Sequence, residues 1–153
     1  MADIYLEELD KVLADSAQTK ELPAPLSSIL SPFIDLAALT GSSVTHQRIF
    51  TSLIEPLLTA LKPQSSDTLP PSRKRQRLLN DTSYDHIVEN ACLERPKEEG
   101  KMERAQVRKA LLRKMFDVAS GPNVREANRR KMYAVWKVAI AEDDDGSRSD
   151  NQD

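Results

Sequence analysis

The sequence predicts an all-α fold: antiparallel helix pairs, interrupted by a disordered linker and followed by a C-terminal helical hairpin with an acidic tail. Three observations carry this reading. Apolar residues recur three and four positions apart in separate blocks, the period of a helix with one buried side. Only four glycines occur in 153 residues and aromatics make up 5%, with few of the β-branched and aromatic runs that strands favour. Charge is segregated: residues 101–141 hold eleven basic side chains against three acidic ones, a net +8, whereas residues 142–153 hold one against six, a net −5. The overall net charge of −2 hides that division.

The first helix is expected over residues 2–16, with Tyr5, Leu9, Val12 and Leu13 on one side and Leu6 alongside. Glu7 and Lys11 would pair across one turn on the wet side. Pro23 and Pro25 then break the chain. Ser31 reads as an N-cap with Pro32 at the first helical position, which places the second helix over residues 32–40. Its apolar side is Phe33, Leu36, Ala37 and Leu39, and Gly41 is expected to stop it in a left-handed conformation. The third helix, residues 43–62, carries the doublets Ile49/Phe50, Leu53/Ile54 and Leu57/Leu58, then Leu61, a broad apolar face. Pro56 removes a backbone donor there, so a kink near Ser52 is expected. Together these helices make an N-terminal segment, residues 1–62, of antiparallel neighbours.

Residues 63–100 read as a mostly disordered linker, rich in proline, serine and charge, with a short helix near 83–92. A fourth helix over 101–119 puts Val107, Leu111, Leu112, Met115, Val118 and Ala119 on one side, flanked by Phe116, with Lys109, Arg113 and Asp117 opposite. Gly121 and Pro122 end it, and Asn123 with Glu126 resembles a capping box opening a fifth helix over 124–141. Residues 101–141 thus form a basic hairpin, and residues 142–153 a disordered acidic tail.

The stretch GPNVREANRRKMYAVWK, residues 121–137, holds the functional question. Its apolar side is Val124, Ala127, Val135, Val138 and Ala139, with Met132 at the edge. Asn128 falls inside that stripe, where an amide is costly unless its hydrogen bonds are made, so it reads as structural. Tyr133 and Trp136 read as interface packing with polar tips outward; base stacking beside arginines is the alternative. The cations, Arg113, Arg125, Arg129, Arg130, Lys131 and Lys137 among them, exceed what solubility needs and point to a polyanionic partner. A merely solvated basic face is the plainer account. In the linker, SRKRQR supplies Arg73, Lys74, Arg75 and Arg77, a compact cluster suited to nuclear import, or else ordinary linker charge.

Catalytic readings find little support. His46 and His86 have no partners at metal-ligand spacing, and Cys92 near His86 is weak evidence for a nucleophile. No glycine-rich loop could cradle a phosphate, and EDDDGSRSD lacks the pattern of a calcium loop. A single cysteine fits a reducing compartment, no apolar run is long enough to span a membrane, and MADIYLEELDKV does not resemble a signal peptide. The expectation is a soluble intracellular protein, not an enzyme, with no cofactor, no metal and no small-molecule substrate.

Two separated regions carry a resemblance. DIYLEELDKV at 3–12 with LSPFIDLAALT at 30–40, and LLRKMFDVASGPNVREANRRKMYAVWK at 111–137, are similar to the ribosomal RNA processing protein one family, the Nop52-like nucleolar proteins. Between them, YDHIVENACLERPKEEGKMERAQVRK at 84–109 resembles the fungal-type linker of that family. The matched signature positions are Pro32, Phe33, Asn128, Arg129, Arg130 and Tyr133, with Trp136 close by. The resemblance implies stacked antiparallel, HEAT-like helices and a nucleolar, non-enzymatic factor in pre-rRNA processing and large-subunit precursor assembly. Pre-ribosomal particle proteins and pre-rRNA would be its partners. Family members carry a further helical region ahead of the first helix, so this chain is expected to lack the N-terminal part of the family domain and to expose apolar surface on its first and third helices. The alternatives are a nuclear protein–protein adaptor whose basic hairpin meets an acidic partner without RNA, and a DNA-binding regulator.

Overall fold

Leu26, Leu30, Ile34 and Ala37 stand four, four and three positions apart, and all are buried. That stripe makes α2, Leu26–Leu39, the helix on which α3 (Ser43–Ile49), α7 (Arg104–Ala119) and α8 (Glu126–Ser147) pack. The computed structural model describes residues 4–16, 23–62 and 84–147. The import cluster Arg73, Lys74, Arg75 and Arg77, and residues 148–153 of the expected tail, lie outside the described residues.

α2 starts well before the expected Ser31–Pro32 boundary, and Pro32 sits inside it. The helix tolerates this because Pro32 and Ser28 both face solvent, so water can reach the Ser28 carbonyl that loses its donor. The buried side is also not the expected one. Leu36 and Leu39 are 50% and 52% exposed, while Phe33 is half-buried against Tyr5, ring centroids 4.9 Å apart. The helix ends on Thr40 with an extended backbone, and Gly41 is not left-handed; among the described residues only Gly100 has a positive φ, 65°.

α1, Tyr5–Ser16, buries Leu6 and Leu13, whereas Val12 is exposed, and Lys11 bonds Glu8 at 2.7 Å rather than Glu7. Ser42 accepts the Thr45 N–H at 3.2 Å and so caps α3, Ser43–Ile49. A π-helical turn, Phe50–Ile54, leads directly into α4, Glu55–Ala60. That wide turn lies just before Pro56, which cannot donate to Ser52, and it keeps every apolar doublet buried. Ile4, Val12 and Val44 are exposed large apolar residues on or beside α1 and α3.

The second half of the expected linker belongs to the core. Tyr84, Ile87, Val88, Ala91 and Cys92 are buried. α5, Asp85–Glu89, is held at its start by Asp10 of α1, whose carboxylate accepts the Ile87 N–H at 2.9 Å. After it, β2, Ala91–Cys92, pairs in parallel with β1, Ala24–Pro25, in the register Ala24 to Ala91 and Pro25 to Cys92. Next, α6, Pro96–Glu99, is exposed, and Glu99 accepts the N–H groups of Leu93 and Glu94 at 2.8 and 3.1 Å. The Glu94 N–H contributes most to holding the Glu99 carboxyl below the ordinary glutamate value.

α7, Arg104–Ala119, and α8, Glu126–Ser147, form the hairpin. α8 begins two residues later than expected, so Asn123 lies ahead of the cap position and Glu126 pairs with Arg129 and Arg130 instead. It also continues through Glu142 and Asp143, the start of the expected disordered tail. Residues from 1–62, 84–93 and 101–141 share one hydrophobic core. Apart from the two-residue pair of strands, the described fold is helical.

Candidate functional site

A helix leaves its last carbonyls without intrahelical donors. In this protein the hairpin supplies donors for the ends of three helices. Asn128 Nδ2 donates to Ala38 O and Thr40 O, at 3.1 and 2.8 Å, and closes α2. Arg129 closes α7: its Nε donates to Ala119 O at 3.0 Å and one terminal nitrogen to Gly121 O at 2.8 Å. Arg108 donates to Leu58 O near the end of α4, to Ala139 O on α8 at 3.2 Å, and to the carboxylates of Asp143 and Glu142 at 2.8 and 3.3 Å.

Arg108 is 1% exposed and was not among the residues singled out from sequence. A signal for it existed. Position 108 lies four before Leu112, seven before Met115 and eleven before Ala119, all buried, which is the stripe argument already applied to Asn128. Its charge fits the general basicity of the hairpin, which masks its place on the stripe.

These contacts sort the cations into two groups. Arg108, Arg129 and Lys114 are engaged inward, Lys114 donating to Ser27 Oγ at 2.8 Å. Arg129, expected to face a partner, is therefore a structural residue. Replacing it with glutamine removes both bonds to the end of α7 and is expected to cost about 1–3 kcal/mol in denaturant titrations. Arg130 is outward, 78% exposed in its side chain, with Nε on Glu126 at 3.0 Å. The Arg125 guanidinium lies 3.1–3.2 Å from where a Cβ on Gly41 would stand, a contact the exposed arginine could relieve by a few tenths of an ångström. Lys109, Arg113, Lys131 and Lys137 are exposed and meet no carboxylate at ion-pair distance among the described residues.

Between those cations lies an aromatic cluster. Phe116 on α7 packs on Trp136 and Tyr133 of α8, with ring centroids 4.9 and 5.3 Å apart. The Tyr133 hydroxyl bonds Ser120 Oγ at 3.0 Å. Phe116 and Trp136 divide two recesses. One, about 590 Å³, is lined by Leu112, Phe116, Trp136 and Ile140 with Lys109, Arg113, Asp117 and Asp143. The other, about 600 Å³, is lined by Phe116, Tyr133, Ala134, Trp136, Arg130 and Lys137.

The remaining polar candidates are packed into the structure. His46 is buried, its Nδ1 donating to Ala37 O at 2.9 Å and its ring stacked on Phe50. Cys92 donates to Pro23 O, and burial, reinforced by the Glu99 charge, pushes its thiol above the ordinary cysteine value. Among the described residues no group of three or more His, Cys, Asp or Glu could hold a metal, and no helix is long and apolar enough to cross a membrane.

Comparison with known families matches residues 1–136 to the family described as nucleolar protein, Nop52. The chain belongs to the Nop52 family. This is a nucleolar family of rRNA processing and ribosome biogenesis. The Nop52 match takes in all of α7 and α8 as far as Trp136, hence Arg108, Asn128, Arg129 and the aromatic cluster. Glu142 and Asp143, the carboxylate partners of Arg108, fall beyond it. No curated protein and no solved structure matches the chain at a significant level.

Proposed function

We propose that this Nop52-family protein is a non-enzymatic nucleolar factor in large-subunit precursor assembly that contacts pre-rRNA through the outer face of α7–α8. The observation that carries this is the sorting of the cations. Arg108 and Arg129 close helix ends and Lys114 bonds Ser27, whereas Lys109, Arg113, Lys131 and Lys137 remain exposed without a carboxylate partner among the described residues. Unneutralised cations grouped on one helical hairpin attract a polyanion, and phosphate contact is the simplest use of them. Membership of a family of rRNA processing supports RNA over DNA as that polyanion.

Binding of the full chain to ribosomal RNA fragments across a salt series tests this. Four phosphate contacts on single-stranded RNA give a log–log slope of about −3. Changing Lys109, Arg113, Lys131 and Lys137 to glutamine is expected to flatten that slope while leaving the unfolding midpoint in place. Equal affinity for duplex DNA of the same length would favour the DNA-binding reading. Binding to an acidic protein partner with none to RNA would favour the adaptor.

A further inference from the structure

We infer that the recess between Phe116 and Lys137 takes one unpaired nucleobase of a single-stranded RNA, which deepens the RNA-contact reading above and rests on it. Arg130, Tyr133, Ala134 and Lys137 stand on one stripe of α8, at steps of three, one and three, and Phe116 and Trp136 complete the lining. The two cations sit about 10 Å apart along the helix, one at each end of an aromatic floor. Ala134 leaves the middle of that floor low. The hollow, about 600 Å³, is open to solvent, so a flat aromatic ligand can lie against its floor with its sugar and phosphate outside.

Charge separates this recess from its neighbour. No carboxylate lines it, the Glu126 carboxylate standing behind Arg130 at its rim, whereas Asp117 and Asp143 line the adjoining one. Arg130 uses Nε for Glu126, which leaves its terminal nitrogens for an incoming anion. The Tyr133 hydroxyl is held by Ser120, so its ring contributes surface rather than a reading group. Rings with fixed positions and flanking cations recognise a base by stacking and a backbone by charge, without selecting sequence. A base within a duplex already has both faces covered, so single strands are selected.

The chain contains one tryptophan, Trp136, and it lines the recess. Its emission therefore reports occupancy directly. The full chain would be titrated with a short single-stranded oligoribonucleotide, with the same strand annealed to its complement, and with an abasic strand carrying the same number of phosphates. Saturable quenching by the single strand alone is the expected result. Phe116→Leu should weaken single-strand binding about tenfold, within the loss that removal of one stacking ring produces. Its unfolding midpoint, measured in parallel, shows whether the variant is folded. For a variant that fails to fold, Ala134→Leu, which fills the exposed floor of the recess, replaces it and should weaken the single strand while leaving binding of the abasic strand unchanged. RNA binding with the expected salt slope but unchanged Trp136 emission, or equal quenching by the duplex, overturns the base site and leaves the backbone-contact reading standing. Absence of RNA binding overturns both. Quenching by an acidic amphipathic peptide and not by RNA overturns the base site in favour of a protein occupant.

Discussion

Arg108→Met should be among the most damaging single substitutions in the hairpin, lowering stability by about 2–4 kcal/mol. Methionine fills much of the same volume, so the loss is one of hydrogen bonds rather than of packing. Leu58 O and Ala139 O lose their shared donor, and Asp143 and Glu142 lose their cation. The Leu58 carbonyl, left without a donor, alone costs about 1–3 kcal/mol, whereas Ala139 O lies inside α8 and keeps its helical N–H donor. The carboxylates suffer less, because both reach solvent, at 34% and 43% side-chain exposure. Against a total stability of about 5–15 kcal/mol, the variant sits near the limit of folding. Urea denaturation followed by circular dichroism reads the effect directly.

The same cluster sets an acid limit. Glu142 bonds Lys62 at 2.9 Å, and that bond contributes most to holding its carboxyl below the ordinary glutamate value; the Lys62 and Arg108 charges add to it. A carboxyl with a depressed pKa stabilises the fold fully above its unfolded value, about 4.3. That contribution fades as the pH falls through the lower folded value. Thermal midpoints measured from pH 6 downward are expected to fall less steeply for Glu142→Gln than for the native protein.

Asn128→Asp changes one atom group and leaves the shape intact, yet it is expected to cost about 3 kcal/mol or more near neutral pH, exceeding Asn128→Ala at about 2 kcal/mol. The amide donates to two carbonyl oxygens, and an ionised carboxylate has no proton to give either. It would place negative oxygen against the two carbonyl oxygens at the end of α2, in a site 5% exposed. Burial and those dipoles raise the folded pKa of the new carboxyl, so the native state binds the extra proton first. The penalty relative to the native protein therefore shrinks as the pH falls through that raised value, opposite in sign to the Glu142 effect. A difference between the two proteins that does not change with pH would argue against this geometry.

The pattern of agreement follows from what a helical spacing rule can see. Asn128 was legible because a polar residue in an apolar stripe has few explanations. The same stripe was drawn with Ala127 and Val138 on it, although Ala127 is exposed and Val138 is 61% exposed. Phe116 of α7 meets α8 on the Tyr133 and Trp136 side, so the buried line runs through Asn128, Met132, Val135 and Ala139. Composition pulled the reading toward the valines. In α2 the proline at 32 mimics a start signal, while Leu26 and Leu30 already carry the stripe ahead of it. The aromatic recess was only half visible. Tyr133 and Trp136 were flagged, but the position of Phe116 between them depends on how two helices meet, which no single-helix pattern encodes.

The closing of three helix ends by one hairpin has a consequence for synthesis. A ribosome delivers the chain N-terminus first, at about 5–20 residues per second. α2 and α4 therefore emerge with carbonyls whose partners, Asn128 and Arg108, have not yet been made. The earlier helices can collapse on one another as they appear, but their ends stay open to water until the last helix arrives. The carboxylates that steady Arg108 come later still, at Glu142 and Asp143. Final locking of this fold waits until Asn128 and the carboxylates of α8 have been made, and a nascent chain stalled before residue 128 would be long enough to contain most of the core and still be unable to shut it.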